Sequence, residues 1–299
     1  MKIPEADDNE HSMEAARGRI EERMSELLPS GDVRPDRLHR AMRHASLGGG
    51  KRLRGIMCLE AHRSAGDPYP DAALDCACAI EFLHAYTLVH DDMPLMDDDE
   101  LRRGKPSCHV EFGEATALLA GDALQALAFE VISGCSGPPD GYVNEATRML
   151  AAAAGSLFIV GGQQADMESE GMEPEPETVE FIHSRKTAEL IAVSLGIGSA
   201  MAEGRSKRTA RLVEAGRMVG LAFQITDDLL DVTGNESAAG KVLRKDGEKG
   251  KMTWPRCFGV EESRRKVEEL TENAINVLRT AGEARTLEYI FKLIAGRNS

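Results

Sequence analysis

Two acidic runs stand out by residue type and spacing: His90-Asp91-Asp92-Met93-Pro94-Leu95-Met96-Asp97-Asp98-Asp99 and, about 130 residues later, Thr226-Asp227-Asp228-Leu229-Leu230-Asp231. Both are embedded in apolar, helix-forming sequence. Carboxylates gather on the buried side of helices only when something positive compensates them, because an unpaired buried charge is costly and protonates instead. A divalent cation supplies that compensation. Hard oxygen ligands suit Mg²⁺, which keeps waters, takes few carboxylates per ion and completes its shell with phosphate oxygens. The two runs therefore form two jaws around a diphosphate.

In the second run Asp227 and Asp231 are four apart, so on a helix they stack on one face and can share one ion. In the first, Asp91 and Asp97 are six apart, which a regular helix would separate by about 240° around its axis. Pro94 resolves this by breaking the helix, so that Asp97 folds back beside Asp91.

Cations collect in a few places: Lys51, Arg52 and Arg54 after Gly48-Gly49-Gly50, Arg102 and Arg103 after the first acidic run, Lys186 beside Thr187, and Lys241, Lys245, Lys249 and Lys251 in a polar stretch. Glycine lets backbone N–H groups approach phosphate, and arginine presents a planar fork of donors to its oxygens. Arg52, Lys245 and Lys249 also fit ordinary surface cations. His84, seven residues before Asp91, lies about two helical turns back and could hydrogen-bond a substrate oxygen or serve as a satisfied core histidine. His90 lacks a companion histidine at helical spacing and suits a structural role better than a metal-ligand one.

The elements that must position these groups read as helices. Residues 1–12 form a loose tail, and apolar positions at helical spacing run from Met13 to Leu28, stopping at Pro29-Ser30-Gly31. Further helices are expected over Asp36–Ser46, Asp71–His90, Glu114–Ile132, Asn144–Gln164, Val179–Ala202, Lys207–Val232 and Glu261–Ala281. Residues 168–178 form an exposed connector, and the long polar loop from Gly234 to Thr253 carries function. Aromatics are only 4%, alanines recur and β-branched alternation is scarce, which predicts an all-α protein: one large helical bundle over residues 13–299.

The net charge of −14 leaves no domain-wide basic surface for nucleic acid. Six cysteines without paired spacing predict free, mostly buried thiols in a reducing compartment. The polar start shows no secretion signal, and the longest apolar stretch, read as Met149–Val160, is too short to span a bilayer, which takes about 20 residues. A cytoplasmic protein without a membrane span is the expectation.

The runs Gly49-Gly50-Lys51-Arg52-Leu53-Arg54, Asp91-Asp92-x4-Asp97 followed by Leu101-Arg102-Arg103-Gly104, Gly161-Gly162-Gln163-x-x-Asp166, Lys186-Thr187 and Phe223-Gln224-x-x-Asp227-Asp228-x-x-Asp231 resemble the trans-polyprenyl diphosphate synthases. Among these the chain looks most like the bacterial short-chain farnesyl diphosphate synthases. The resemblance runs from about residue 15 to the C-terminus in order and spacing. Two positions depart from it: Gly55 stands where proline commonly follows the Lys-Arg-Leu-Arg run, and Trp254 replaces a frequent tyrosine before Pro255.

The resemblance implies an all-helical homodimer of the isoprenoid synthase fold, its bundle wrapped around a central cavity, whose aspartate motifs hold three Mg²⁺ ions against an allylic diphosphate. Asp91, Asp97 and Asp227 match the ligands, with Asp92, Asp228 and Asp231 supporting through water or hydrogen bonds. Arg102, Lys186, Lys241 and Lys251 match groups on the allylic diphosphate, and Lys51, Arg54, His84 and Arg103 match the isopentenyl diphosphate site. Thr187 and Gln224 match residues along the reacting carbons. The implied reaction ionises the allylic C–O bond, lets the isopentenyl double bond attack, and loses a proton to the released diphosphate.

Tyr86, five residues before Asp91, resembles the chain-length floor of farnesyl synthases and implies a C15 product. Five residues also turn it about 140° from Asp91, so helix geometry alone does not put both in one cavity. A geranylgeranyl diphosphate synthase is the nearest alternative. A terpene cyclase would share the helical fold and one aspartate motif but needs no second diphosphate site such as Lys51, Arg54 and Arg103. The third alternative is a non-catalytic subunit of a partner synthase, against which the full aspartate set stands.

Overall fold

The computed structural model describes residues 6–233, 251–282 and 284–296, which are helical apart from turns and one two-stranded hairpin. In chain order come α1 (Ala6–Leu27), α2 (Asp36–Leu47), α3 (Leu53–Arg63) and α4 (Pro70–Asp91), then the hairpin of β1 (Leu101–Arg102) and β2 (Lys105–Pro106). The next elements are α5 (Cys108–Phe112), α6 (Glu114–Ser133), α7 (Asp140–Ala154), α8 (Ile159–Glu168) and α9 (Pro176–Ile182). A π-helical turn (His183–Ala188) leads into α10 (Glu189–Glu203) and then α11 (Lys207–Thr233). After residue 250 follow α12 (Trp254–Phe258), α13 (Val260–Thr280) and α14 (Arg285–Ala295). The expected all-α fold is found.

At the centre lies α10, in which every residue from Glu189 to Met201 is buried. It packs against α3, α4, α7 and α11, and small side chains let the backbones approach. A Cβ on Gly220 of α11 would lie 2.6 Å from the Cα of Ala188. Only glycine fits there. One core gathers α1 to α7 around α10, and a second, smaller one joins Ile182, Ala188, Ile225, Leu229, Met252 and Trp254 directly behind the second acidic run.

Four expectations are corrected. The first helix begins at Ala6, seven residues before Met13, so the expected tail over residues 1–12 is helical from Ala6 onward. The single helix expected over Asn144–Gln164 is two, because Gly155 turns extended (φ −82°, ψ −177°) after α7 and the chain restarts at Ile159. The Val179–Ala202 helix is interrupted by the π turn. Helix α3, the hairpin and α14 were not foreseen: α3 starts straight out of the glycine-rich turn, and the strands are two residues each, too short for a period to show.

Met149–Val160 is also not the most apolar stretch. Helices α4 and α6 are each long and apolar enough by composition to cross a membrane, with 72% and 39% of their most apolar windows buried inside the protein. For α4 the protein interior accounts for that surface. All six cysteines are free thiols, as expected.

Candidate active site

The C-terminal end of α4, helix α8, the π turn, α11 and residues 251–253 enclose a cavity of about 480 Å³. Asp91 and Asp97 of the first acidic run and Asp227 of the second all line it. So do the cations Arg54, Arg102, Lys186 and Lys251, together with His84, Tyr86, Thr187 and Gln224. The two acidic runs, remote in sequence, share one chamber.

In the first run α4 ends at Asp91, and the next residues fold back over the helix end. The Asp97 amide donates to the Asp91 carbonyl at 2.8 Å, and the Asp99 amide to that of Asp92 at 3.2 Å. Pro94 cannot continue a helix, and the left-handed Asp98 (φ 50°) completes the reversal. Asp97 therefore returns to the level of Asp91, as the proline predicted. Burial pushes the Asp91 carboxyl up to about 6, with Lys186 pulling it down and Asp97 pushing it further up. Asp92 points away from the chamber and is buried against the Arg102 guanidinium, whose Nε donates to both of its oxygens at 3.0 and 3.1 Å. Lys251 Nζ pairs with Asp97 Oδ1 at 2.8 Å.

The second run lies in the last turns of α11. Asp227 and Asp228 both line the cavity, Asp228 at only 3% exposure, whereas Asp231, at 4%, is outside the lining. The structure does not bring Asp231 to the cavity beside Asp227. Their spacing puts them on one helix stripe, but the stripe turns into the smaller core within a single turn. Gln224 Nε2 donates to Asp228 Oδ1 at 3.1 Å, and the Thr187 hydroxyl donates to Gln224 Oε1 at 2.7 Å.

Lys186 and Thr187 ride on the π turn, and single π turns within α-helices are frequent at functional sites. Helix α8 comes close enough to brace them, since a Cβ on Gly162 would sit 2.5 Å from the Lys186 backbone nitrogen. Lys186 Nζ bonds Asp166 at 2.7 Å. Burial works against its charge, but Asp91, Asp166 and Asp97 more than offset that and hold its pKa above the ordinary lysine value.

The basic wall comes from the α3 entrance. Arg52 is not the surface cation expected: it is left-handed (φ 50°), only 4% exposed, donates to the Ser46 carbonyl at 2.6 Å and pairs with Glu81 at 3.6 Å. This turn sends Arg54 into the cavity, where its Nη1 lies 3.3 Å from His84 Nε2. Burial first, and then the charges of Arg54, Arg103, Arg52 and Arg102, hold the His84 pKa well below its usual value. A neutral His84 accepts from Arg54 at Nε2 and can donate from Nδ1. Arg103 and Lys51 do not line the cavity. Arg103 sits at the left-handed hairpin turn (φ 54°) and donates to the Gly49 carbonyl, while Lys51 is exposed beside it. Lys241, with Lys245 and Lys249, lies outside the described residues.

Residues 35–294 match the family model described as Polyprenyl synthetase. The chain belongs to that family. Farnesyl diphosphate synthase of Geobacillus stearothermophilus is 40% identical over 268 residues, which is 88% of this chain and 90% of that protein. Geranylgeranyl pyrophosphate synthase 4 of Arabidopsis thaliana is 39% identical over 284 residues, 93% of this chain and 75% of that one. The crystal structure of geranyltransferase from Helicobacter pylori, complexed with magnesium and isoprenyl diphosphate, matches with a TM-score of 0.83 at 28% identity, over 98% of this chain and 97% of that chain. This polyprenyl synthetase has the isoprenoid synthase fold and is a trans-prenyl diphosphate synthase, a prenyltransferase.

Three residues of this synthetase that matter for the cavity escaped the sequence reading as site groups. Glu81, buried at 3%, accepts the Gly55 amide at 2.9 Å and so caps the start of α3, a donation that the proline common at this position could not make. Its signal was a lone acid in an apolar helix. Asp166, the last residue of the Gly161-Gly162-Gln163-x-x-Asp166 run, anchors Lys186. His183 lies one turn before Lys186 and bonds Asp228 at 2.7 Å. Four cavity-lining residues also carry buried polar atoms without a hydrogen-bond partner: Arg54 Nε, Gln163 Oε1, His183 Nδ1 and Thr253 Oγ1. Natural proteins rarely leave such atoms unmatched, and a polar guest in the chamber would satisfy these four.

Proposed function

We propose that the chain condenses isopentenyl diphosphate with dimethylallyl and then geranyl diphosphate to give farnesyl diphosphate. The observation that carries this reading is the convergence of Asp91, Asp97 and Asp227 with Arg102, Lys186 and Lys251 on one chamber that also contains Arg54, His84 and Tyr86. Anionic headgroups need both sets.

Mg²⁺ fits the donors present: hard carboxylate oxygens, one of them on the buried Asp91 whose ionised form lacks full compensation. Among the described residues no three acidic or histidine side chains close a metal site by themselves. Substrate oxygens would have to complete the shell of each ion, three ions being the number the family resemblance implies. Asp91, Asp97 and Asp227 would hold them. When bound, the metal offsets the charge that builds on a departing diphosphate.

The chain's own groups do the rest. Lys186, Arg102 and Lys251 meet the allylic diphosphate with charge-assisted hydrogen bonds, and Arg54 with His84 orients the isopentenyl partner. The Thr187 hydroxyl, fixed by Gln224, lies along the reacting carbons. Met96, Ile159, Leu190 and Phe223 keep water from the cation that forms. The proton leaves to the released diphosphate, which needs no dedicated base. Lys51 and Arg103, beside the chamber, would reach the isopentenyl diphosphate from its outer side, and Lys241 is assigned to the allylic diphosphate by the resemblance alone.

Tyr86 lines the same cavity as Asp91, which helix geometry had left open. Its ring stands edge-on to His90, with centroids 4.9 Å apart, and His90 in turn reaches the Leu118 carbonyl of α6 at 3.1 Å. A phenol braced in this way supports a C15 limit. The second reading is a C20 product, favoured by relatives named geranylgeranyl pyrophosphate synthase. Mass spectrometry of products from isopentenyl and dimethylallyl diphosphates, with and without Mg²⁺, decides between them: the proposal expects a C15 product from the wild type and longer products from Tyr86→Ala. A C20 wild-type product, or an unchanged mutant product, overturns it.

The chain is further proposed to act as a homodimer in the cytoplasm. Exposed Leu118 and Leu119 on the half-buried α6 support a partner surface, and the free thiols support a reducing compartment.

A further inference from the structure

The Asp228 carboxylate is the meeting point of three stretches of chain. Its Oδ2 lies 2.7 Å from His183 Nε2 on the π turn and accepts the Trp254 amide at 2.8 Å, while Oδ1 accepts Gln224 Nε2 on α11 at 3.1 Å. His183 is 4% exposed, and its ring centroid is 6.2 Å from that of Trp254. Three donors occupy most of the lone-pair directions of a carboxylate. Asp228 lines the cavity beside Asp227, but with three donors already in place it has little left to offer a cation.

We propose that His183 is a positioning residue, whose Nε2–H holds Asp228 as a knot that docks residues 251–258 onto the π turn, so that Lys186 and Lys251 enter the cavity from fixed directions. The two lysines are three residues from His183 and three from Trp254, respectively. Arg256 Nη1, donating to the Lys251 carbonyl at 2.6 Å, stiffens the short span between the knot and Lys251. Two ammonium groups aimed at one diphosphate repel each other. A buried anchor common to both keeps that repulsion from splaying them apart. The catalytic consequence rests on the reading of the cavity as the diphosphate site, but the knot itself does not.

Trp254 is the only tryptophan in the chain and is buried, so its emission reports the docking of this segment directly. His183→Phe removes the donor while keeping an aromatic ring, and His183→Gln keeps an N–H within reach of Asp228. In metal-free protein, His183→Phe is expected to raise acrylamide quenching of Trp254 about twofold and shift its emission to the red, with far-ultraviolet circular dichroism unchanged. In turnover, kcat falls about tenfold or more while KM for isopentenyl diphosphate stays within about threefold. His183→Gln recovers most of both effects. Unchanged quenching in His183→Phe overturns the knot. So does a loss of kcat with Trp254 still shielded, because His183 would then act on substrate directly. Should His183→Phe fail to fold, Asp228→Asn is read by the same quenching criterion. A wild type that turns over no prenyl substrate sinks the functional reading alone, since the quenching arm still decides the knot.

Discussion

Lys251 Nζ lies 2.8 Å from Asp97 Oδ1, a contact between residues 154 positions apart that closes the first acidic run with a cation from the far end of the chain. The same ammonium and carboxylate are assigned to opposite partners during turnover, Asp97 to metal and Lys251 to diphosphate. On the proposed function, the ion pair would be a resting contact that substrate replaces. Lys251→Ala should weaken the allylic diphosphate by about tenfold to a hundredfold in KM, since a hydrogen bond to a charged group contributes about 1.5–3 kcal/mol. Steady-state kinetics checks this, with the KM for isopentenyl diphosphate as the internal control expected to change little.

Asp91 supplies a pH signature. Its folded-state value near 6 lies above the ordinary 3.8, so between these values the folded chain holds a proton that the unfolded chain has released. Its contribution is stabilising at low pH and is lost as pH rises through about 6. Asp91→Asn, neutral throughout, escapes that loss. Calorimetry in chelator should show the variant melting above the wild type by a few degrees near pH 7.5, and the gap closing near pH 5. A gap independent of pH would contradict the burial argument.

Close helix packing makes a paired prediction. Gly220→Ala places a methyl against the Ala188 backbone at 2.6 Å and should destabilise the fold by about 1–3 kcal/mol. Gly18→Ala on α1 meets nothing within 4 Å and should stabilise by up to about 1 kcal/mol. Melting temperatures of the two variants should move in opposite directions.

Leu119 is 56% exposed on α6, and Leu118 beside it is 48% exposed. Leu119→Glu should halve the mass measured by light scattering after size exclusion, while leaving circular dichroism unchanged. A wild type that already elutes as a monomer contradicts the dimer.

Much of this was legible in the sequence for physical reasons. The boundaries expected at Leu28, Asp71 and Ile132 fell within one residue of the observed Leu27, Pro70 and Ser133, because the neighbouring prolines and glycine act through local sterics. Pro94 between Asp91 and Asp97 announced the fold-back that the Asp97 amide then makes. What stayed hidden depends on tertiary contact. No local pattern separates Asp227 from Asp228, since only the arrival of His183 and the Trp254 amide turns Asp228 into an acceptor of structural bonds. Likewise Arg52 looks like any surface arginine until Glu81, on another helix, draws it inside. The break at Gly155 was masked by the four alanines before it and the apolar residues after it, which continue a helix-compatible pattern across the gap.

The central claim is that Asp91 and Asp227, remote in sequence but lining one chamber, jointly hold cations against a diphosphate. Calorimetric titration of inorganic pyrophosphate into the wild type, Asp91→Asn and Asp227→Asn, each with Mg²⁺ and with chelator, tests it most directly. The account predicts binding that requires Mg²⁺ in the wild type and weakens about tenfold or more in each variant. Equal affinity with and without Mg²⁺, or either variant binding like the wild type, would contradict it.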